Sequence, residues 1–314
     1  QIPNTGLLMT TLVFGHKSPD TDSTGSPLVW AWYLSEVKNT PAKAVLLGEP
    51  NTEAAFMLKH WGFEKPAIIA DVTADDKVVI VDTNNPAELP PSINDAKIQA
   101  IIDHHMLVGG IKTKNPIDIT IRPLACTATI MHDLMGADVA KAPKAIKGAM
   151  LTCILSDTLE FRSPTTTPHD RAVAEKLAAD LGVNIAEFAA QMFAAKSDVS
   201  SFSDAELLRM DSKEYNVAGK ELRVSVLETT APAVVLDRKA SLMDSMVGVA
   251  KEDGADQVLL FVIDILKEEA TLLVPNDLVK QMAEASFGVT VTGDTVVIPG
   301  LMSRKKQIIP ALKL

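Results

Sequence analysis

"LLMTTLVFGHKSPDTDS", residues 7–23, runs a largely apolar stretch directly into His16, Asp20 and Asp22. An apolar stretch that does not alternate with polar residues reads as a strand covered on both faces, the habit of parallel sheets. The pattern recurs downstream: VVIVDTN ends at Asp82, and IQAIIDHH ends at Asp103, His104 and His105. KAVLLG and PAIIAD read as two more strands, and amphipathic helices are expected near 24–38 and 52–61. From 126 to 196 helices dominate, in CTATIMHDLMG, PKAIKGAMLTCILSDT, TPHDRAVAEKLAADLG and NIAEFAAQMFAAK. Strands alternating with helices predict an α/β fold, a doubly wound and mainly parallel sheet with right-handed crossovers.

A chain of 314 residues is too long for one ordinary core, and its composition changes at SDVSSFSD. Three divisions follow: an N-terminal domain over 1–196, a linker or hinge over 197–204, and a smaller mixed α/β domain over 205–314. The second domain opens with a hairpin in KEYNVAGKELRVSVLE. After it come a helix near 231–253, a strand pair around 257–274, another helix and the strand TVVIPG. The active site is expected between the domains.

The net charge of −10 argues against nucleic acid as a main partner, because a phosphate backbone needs a basic face. The most apolar stretch, VLLFVIDIL, is broken by Asp264, so no membrane span is expected. The N-terminal QIPNTGLLMTTLVF lacks the basic region of a signal peptide. Cys126 and Cys153, the only cysteines, both lie in apolar helical contexts and read as reduced core thiols. A cytoplasmic location follows.

Loops at the carboxyl ends of parallel strands converge on one rim, and sites are built there. His16, Asp20 and Asp22 follow one strand, Asp82 a second, and His104 a third; Asp157 closes an apolar helix in ILSDT. Two imidazoles and four carboxylates carry too much negative charge for one divalent ion, whereas two ions share them comfortably. An Asp can bridge ions about 3.5–4 Å apart, and a water between them is polarised toward hydroxide. Oxygen and nitrogen donors without thiolate favour Mn²⁺ or Co²⁺, with Mg²⁺ and Zn²⁺ as substitutes. Near the other end, SRKKQIIP places Arg304, Lys305 and Lys306 in succession. Arg grips phosphate oxygens in a fork and Lys adds a point charge, so this turn reads as an anion clamp for a phosphorylated substrate.

GHKSPDTDS, VDTN, IIDHH, RPLACTATI, ILSDTLEFRSPT and SRKKQIIP, in this order, resemble the family II inorganic pyrophosphatases of the Asp-His-His phosphoesterase superfamily. The first half is shared across the superfamily, and the SRKKQ ending narrows the resemblance. It implies that His16, Asp20 and Asp82 hold one metal. Asp22, Asp82, His104 and Asp157 would hold the other, with Asp82 bridging. His105, Arg304 and Lys305 would contact substrate. It also implies two Mn²⁺ or Co²⁺ per subunit, further Mg²⁺ or Mn²⁺ arriving with pyrophosphate, and a homodimer formed through the first domain. Only 20 residues separate Asp82 from Asp103, leaving no room for the regulatory insert that some members carry. Many relatives have a substrate-binding lysine at the position aligned with Phe202, and Lys196 is expected to take over that role.

The expected reaction is hydrolysis of pyrophosphate to two phosphates by a metal-bridged hydroxide, with cationic groups neutralising the leaving phosphate. The alternative is another superfamily phosphoesterase, an exopolyphosphatase or a nucleotide or oligonucleotide phosphodiesterase. Such an enzyme needs a platform for a base or a longer chain. Aromatic residues make up only 4% of the sequence, and there is no glycine cluster around 270–310.

Overall fold

In KVVIV every residue after the lysine is buried, as a central strand with both faces covered requires. The computed structural model describes residues 9–314, so residues 7–8 of the first expected strand, and the leader reading of residues 1–8, lie outside the described residues. Two compact units emerge: one runs to Glu160 and resumes over Thr166–Ala189, the other comprises Phe161–Thr165 and Ala190–Leu314.

The first unit contains β1 (Thr11–Phe14), α1 (Thr21–Trp32), β2 (Ala42–Ala44), α2 (Thr52–Trp61), β3 (Lys77–Val81), β4 (Lys97–Asp103) and β5 (Asp118–Ile121). It continues through α3 (Thr127–Met135), α4 (Lys144–Thr158) and α5 (Pro168–Leu181) to the start of α6 (Ile185–Ser197). Its sheet has the order β2-β1-β3-β4-β5, and every pairing in it is parallel. The order reverses between β1 and β3, the switch point where open α/β sheets open a crevice. One sheet face buries Phe14, Val78, Ile80, Ile98 and Ile101 together with Val72, Leu89, Ile93 and Ala96 from the connections. α1 packs against α3 and α4.

Two local expectations need correction. PAIIAD makes only an isolated bridge, Ile68 to Leu46, and KAVLLG contributes only the short β2, because Pro66 and the following turns leave no length for a ladder. The links from β3 to β5 hold two short 3₁₀ turns, Pro86–Glu88 and Ile93–Asp95, and a loop.

The second unit takes the end of α6, α7 (Asp204–Met210), β6 (Ser212–Val217), β7 (Lys220–Thr229), α8 (Pro232–Leu236) and α9 (Lys239–Asp253). β8 (Gln257–Asp264), β9 (Glu269–Leu273), α10 (Asp277–Phe287) and β10 (Thr295–Pro299) complete it, with a wide π-type turn over Arg304–Ile308. Its sheet, β10-β9-β8-β7-β6, is mixed: β7 and β8 run parallel and the other pairs antiparallel. All eight residues of β8 are buried. Leu207, Leu208, Val258, Leu260 and Val262 share one core cluster, and Phe202 packs against it. Phe202 therefore holds α7 in place, as an aromatic beside SDAELLRMD should.

Candidate metal centre

Asp20 is the N-cap of α1: its Oδ1 accepts from the Ser23 amide at 2.9 Å, which leaves Oδ2 turned 3.6 Å from His16 Nε2. Two residues on, Asp22 is fully buried in the first turn, where the helix dipole favours an anion. Ser26 Oγ donates to its Oδ1 and the Thr127 amide donates to its Oδ2 at 2.9 Å. Gly15 permits this packing, since a Cβ there would come within 2.8 Å of the Ser23 main chain.

Asp82 directly follows β3 with a left-handed backbone, φ 60°, a conformation Asp tolerates better than most residues. Its two oxygens face two different neighbourhoods. Oδ2 stands 3.4 Å from His16 Nε2 and accepts from Ser23 Oγ at 2.6 Å. Oδ1 stands 3.1 Å from His104 Nε2 and accepts from Thr127 Oγ1 at 3.2 Å. His104 Nε2 is also 3.8 Å from both Asp22 Oδ2 and Asp157 Oδ2. The six predicted ligands thus gather at the carboxyl ends of β1, β3 and β4 and the end of α4. They fall into two groups that share Asp82.

Both imidazoles are fixed from behind. His16 Nδ1 lies 2.6 Å from the Lys17 carbonyl and His104 Nδ1 3.0 Å from the Leu124 carbonyl. A carbonyl only accepts, so each Nδ1 carries a proton and each Nε2 faces the carboxylates, as the N–H of an imidazolium without a cation and as a lone-pair donor with one bound, the orientation of a metal-bound histidine.

The carboxylates carry the same message. Burial, then the charge of Asp82, pushes Asp22 up to about 7. Burial, then the charges of Asp22, Asp20 and Asp82, holds Asp157 well above the usual carboxylate range. Asp157 also sits in the last turn of α4, the negative end of the helix dipole. For Asp82, burial opposes ionisation, but the hydrogen bonds to His104 and His16 and the His105 charge outweigh it, so its pKa lies well below normal. Crowded carboxylates of which some resist ionisation are a donor set built for divalent cations.

Several residues have supporting roles that the sequence does not assign to them. Asp103, buried, accepts from the amides of His104 and His105 at 2.8 and 3.1 Å and lies 2.7 Å from His105 Nδ1. Burial works against its ionisation, yet the hydrogen bond and charge of His105 lower its pKa to about 2. Asn84 donates to Asp103 Oδ2 at 2.7 Å and to the Met106 carbonyl at 2.9 Å, and so ties the tail of β3 to the His104–His105 turn. The quoted motifs contained Asn84 and Thr127, but their spacing carries no sign of what they hold. Cys126 lies in one group with Asp22 and Asp157, their ligand atoms within 4.8 Å of one another. Burial and those two carboxylates push its thiol well above the usual range, so it stays protonated.

The predicted substrate cations belong to the second unit. Arg304 donates from Nη2 to Asp211 Oδ1 at 2.8 Å and from Nη1 to the Asp211 carbonyl at 2.9 Å. Gln307 Oε1 accepts from the Met302 and Ser303 amides, which shapes the turn that carries Arg304 and Lys305. Lys196 pairs with Glu228 at 2.7 Å, and both side chains are mostly buried.

Comparison with known proteins agrees with this layout. Residues 10–157 match the DHH family N-terminal domain, and residues 190–314 match the DHHA2 domain. A protein of Deinococcus radiodurans named "Probable manganese-dependent inorganic pyrophosphatase" is 39% identical over 307 residues, covering 96% of this chain and 97% of its own. A Methanococcus jannaschii structure described as a family II inorganic pyrophosphatase superposes with a TM-score of 0.83 at 33% identity, covering 95% of this chain and 97% of its own. An exopolyphosphatase-related protein from Bacteroides fragilis reaches a TM-score of 0.50 at 13% identity, with 96% and 89% covered, which speaks to fold alone. Identity of this order along almost the whole length means that the chain belongs to the manganese-dependent, family II inorganic pyrophosphatases.

Proposed function

We infer that this chain hydrolyses inorganic pyrophosphate to two phosphates. The observation that carries the reading is Asp82, whose two oxygens face His16 on one side and His104 on the other. His16, Asp20 and Asp82 would hold one divalent cation; Asp22, Asp82, His104 and Asp157 would hold a second. Such a pair supplies Lewis-acid activation of water and neutralises phosphate charge. Mn²⁺ is the metal in the relatives' names, and the nitrogen donors of His16 and His104 suit Mn²⁺ or Co²⁺ better than Mg²⁺. Further Mg²⁺ or Mn²⁺ would arrive with the substrate.

The chain's own groups do the rest. His105, its Nδ1 held at 2.7 Å from Asp103 Oδ1, would contact a phosphate oxygen of the substrate. Arg304 and Lys305 contact the substrate as fork and point charge. Lys196 is the third cation by sequence, although a phosphate must compete there with Glu228. Lys213 is its rival: it faces Val224 in the β6–β7 ladder, and Arg304 reaches the main chain of Asp211 two residues before it. A homodimer through the first unit is supported by the open edge at β5, where Ile119 is exposed, and by exposed Met106, Leu107 and Val108. Light scattering on the purified protein reads that state directly; a monomeric mass refutes it. Among the described residues no helix is long and apolar enough to cross a membrane.

Phosphate release from pyrophosphate, set against a polyphosphate and bis-p-nitrophenyl phosphate, tests the reading. Pyrophosphate should be preferred by orders of magnitude with Mn²⁺ present, and preference for either competitor overturns it. Run on Lys196→Ala and Lys213→Ala, the same assay identifies the third cation as the one whose loss raises KM several-fold at unchanged metal content. If neither raises KM, neither lysine binds substrate.

A further inference from the structure

Glu53 is a carboxylate that the chemistry above does not use. It is completely buried, at the second position of α2, behind the Asn51 cap. Thr21 Oγ1 donates to Glu53 Oε1 at 2.6 Å, and Ser156 Oγ donates to the same oxygen. Those two donors are not arbitrary neighbours. Thr21 stands between Asp20 and Asp22 at the start of α1, and Ser156 immediately precedes Asp157 in the last turn of α4. The cap is tied in as well, since the Asn51 amide donates to the Pro19 carbonyl at 3.0 Å, one residue before Asp20. One buried oxygen therefore fastens together the two helix ends that carry Asp22 and Asp157.

We propose that Glu53 is a positioning residue for the second cation site: it sets the separation of Asp22 from Asp157 and so the fit of the ion they share with His104. The proposal rests on the metal assignment above. The geometry makes it selective. Asp157 belongs to the second group only, so loosening the Ser156 tether changes that group, whereas His16, Asp20 and Asp82 keep Ser23, Lys17 and the β1–β3 frame. Outer-shell groups that orient ligands typically change metal affinity by roughly tenfold to a hundredfold when removed. An oxygen acceptor is what the position requires, so glutamine can substitute and alanine cannot.

The test is a Mn²⁺ titration of metal-free protein, with free ion read from its EPR signal. Wild-type chain should bind two ions. Glu53→Ala should weaken one site at least tenfold and leave the other within about threefold, and Glu53→Gln should restore the weakened site to within about threefold of wild type. Ser156→Ala, which keeps the carboxylate in place, should weaken the same site at least threefold, and it decides the matter if Glu53→Ala does not fold. Unchanged binding in folded Glu53→Ala or in Ser156→Ala overturns the proposal. Equal weakening of both sites without rescue by glutamine also overturns it, because that is the mark of a merely structural residue. A wild-type chain that binds fewer than two ions refutes the metal assignment itself, an outcome separate from any failure of Glu53.

Discussion

Asp82 concentrates the chemistry of the site in one side chain. Its left-handed φ turns the carboxylate back across the rim, and Ser23 and Thr127 fix one oxygen each. Asp22, by contrast, meets only the His104 side of the cluster. The expected outcome is that Asp82→Ala loses both tightly bound Mn²⁺ ions while Asp22→Ala keeps one, with activity falling much further in the first. Metal content per chain after desalting measures this. Equal occupancy in the two variants would remove the bridging role. The ligand types were legible from the sequence, because acids and histidines at strand ends have few other reasons to cluster. The supporting roles of Asp103, Asn84 and Thr127 were not, since serving a ligand from behind leaves no spacing signature.

Among the elements, α4 matters most, because its last turn delivers Asp157 and its middle must lie close to α2. Gly148 makes that approach: a Cβ there would fall 2.2 Å from the Trp61 ring, whose Nε1 donates to Thr152 at 2.9 Å. Alanine would gain about 1 kcal/mol of helix propensity, but overpacking against a ring held by a hydrogen bond costs about 1–3 kcal/mol. Gly148→Ala should therefore lower the thermal midpoint by several degrees, and a raised midpoint would show that Trp61 yields. A glycine inside a helix pattern marks close contact; its partner, 87 positions earlier, lies beyond any local reading. The β3–β5 links teach the complementary lesson. Parallel neighbours need a crossover, and a long loop with short turns serves as well as a helix.

At the scale of the molecule, metal and proton compete for one cluster. Asp22 folds with its pKa raised to about 7, above its unfolded value, so the folded chain holds a proton that the unfolded chain releases. Its contribution to apoprotein stability is fully present below about pH 4 and is lost as pH rises through about 7. Asp103 and Asp82 act in the opposite sense: their lowered pKa values contribute above about pH 4, and the contribution is lost as pH falls through the folded values. A divalent cation displaces the Asp22 proton and removes the repulsion that raised its pKa. The rise in thermal midpoint caused by Mn²⁺ should therefore grow from pH 5 to pH 8. A shift that is flat across this range would mean that the cluster titrates independently of the metal.

The sequence by itself determined the fold class, the strand ends that form the rim, and the identity of six acids and histidines there. These depend on short-range facts: apolar runs, helix periodicity, and which side chains bind hard cations. Tertiary structure alone decided that Asp82 faces both groups, that Cys126 stands among the acids as a neutral thiol, and that Lys196 has Glu228 for a partner. It also decided that Glu53 joins Thr21, 32 residues before it, to Ser156, 103 residues after it. The physical reason is distance. Periodicity constrains residues within a few turns of one another, whereas hydrogen bonds and charge repulsion depend on atoms that only a completed fold brings within a few ångströms.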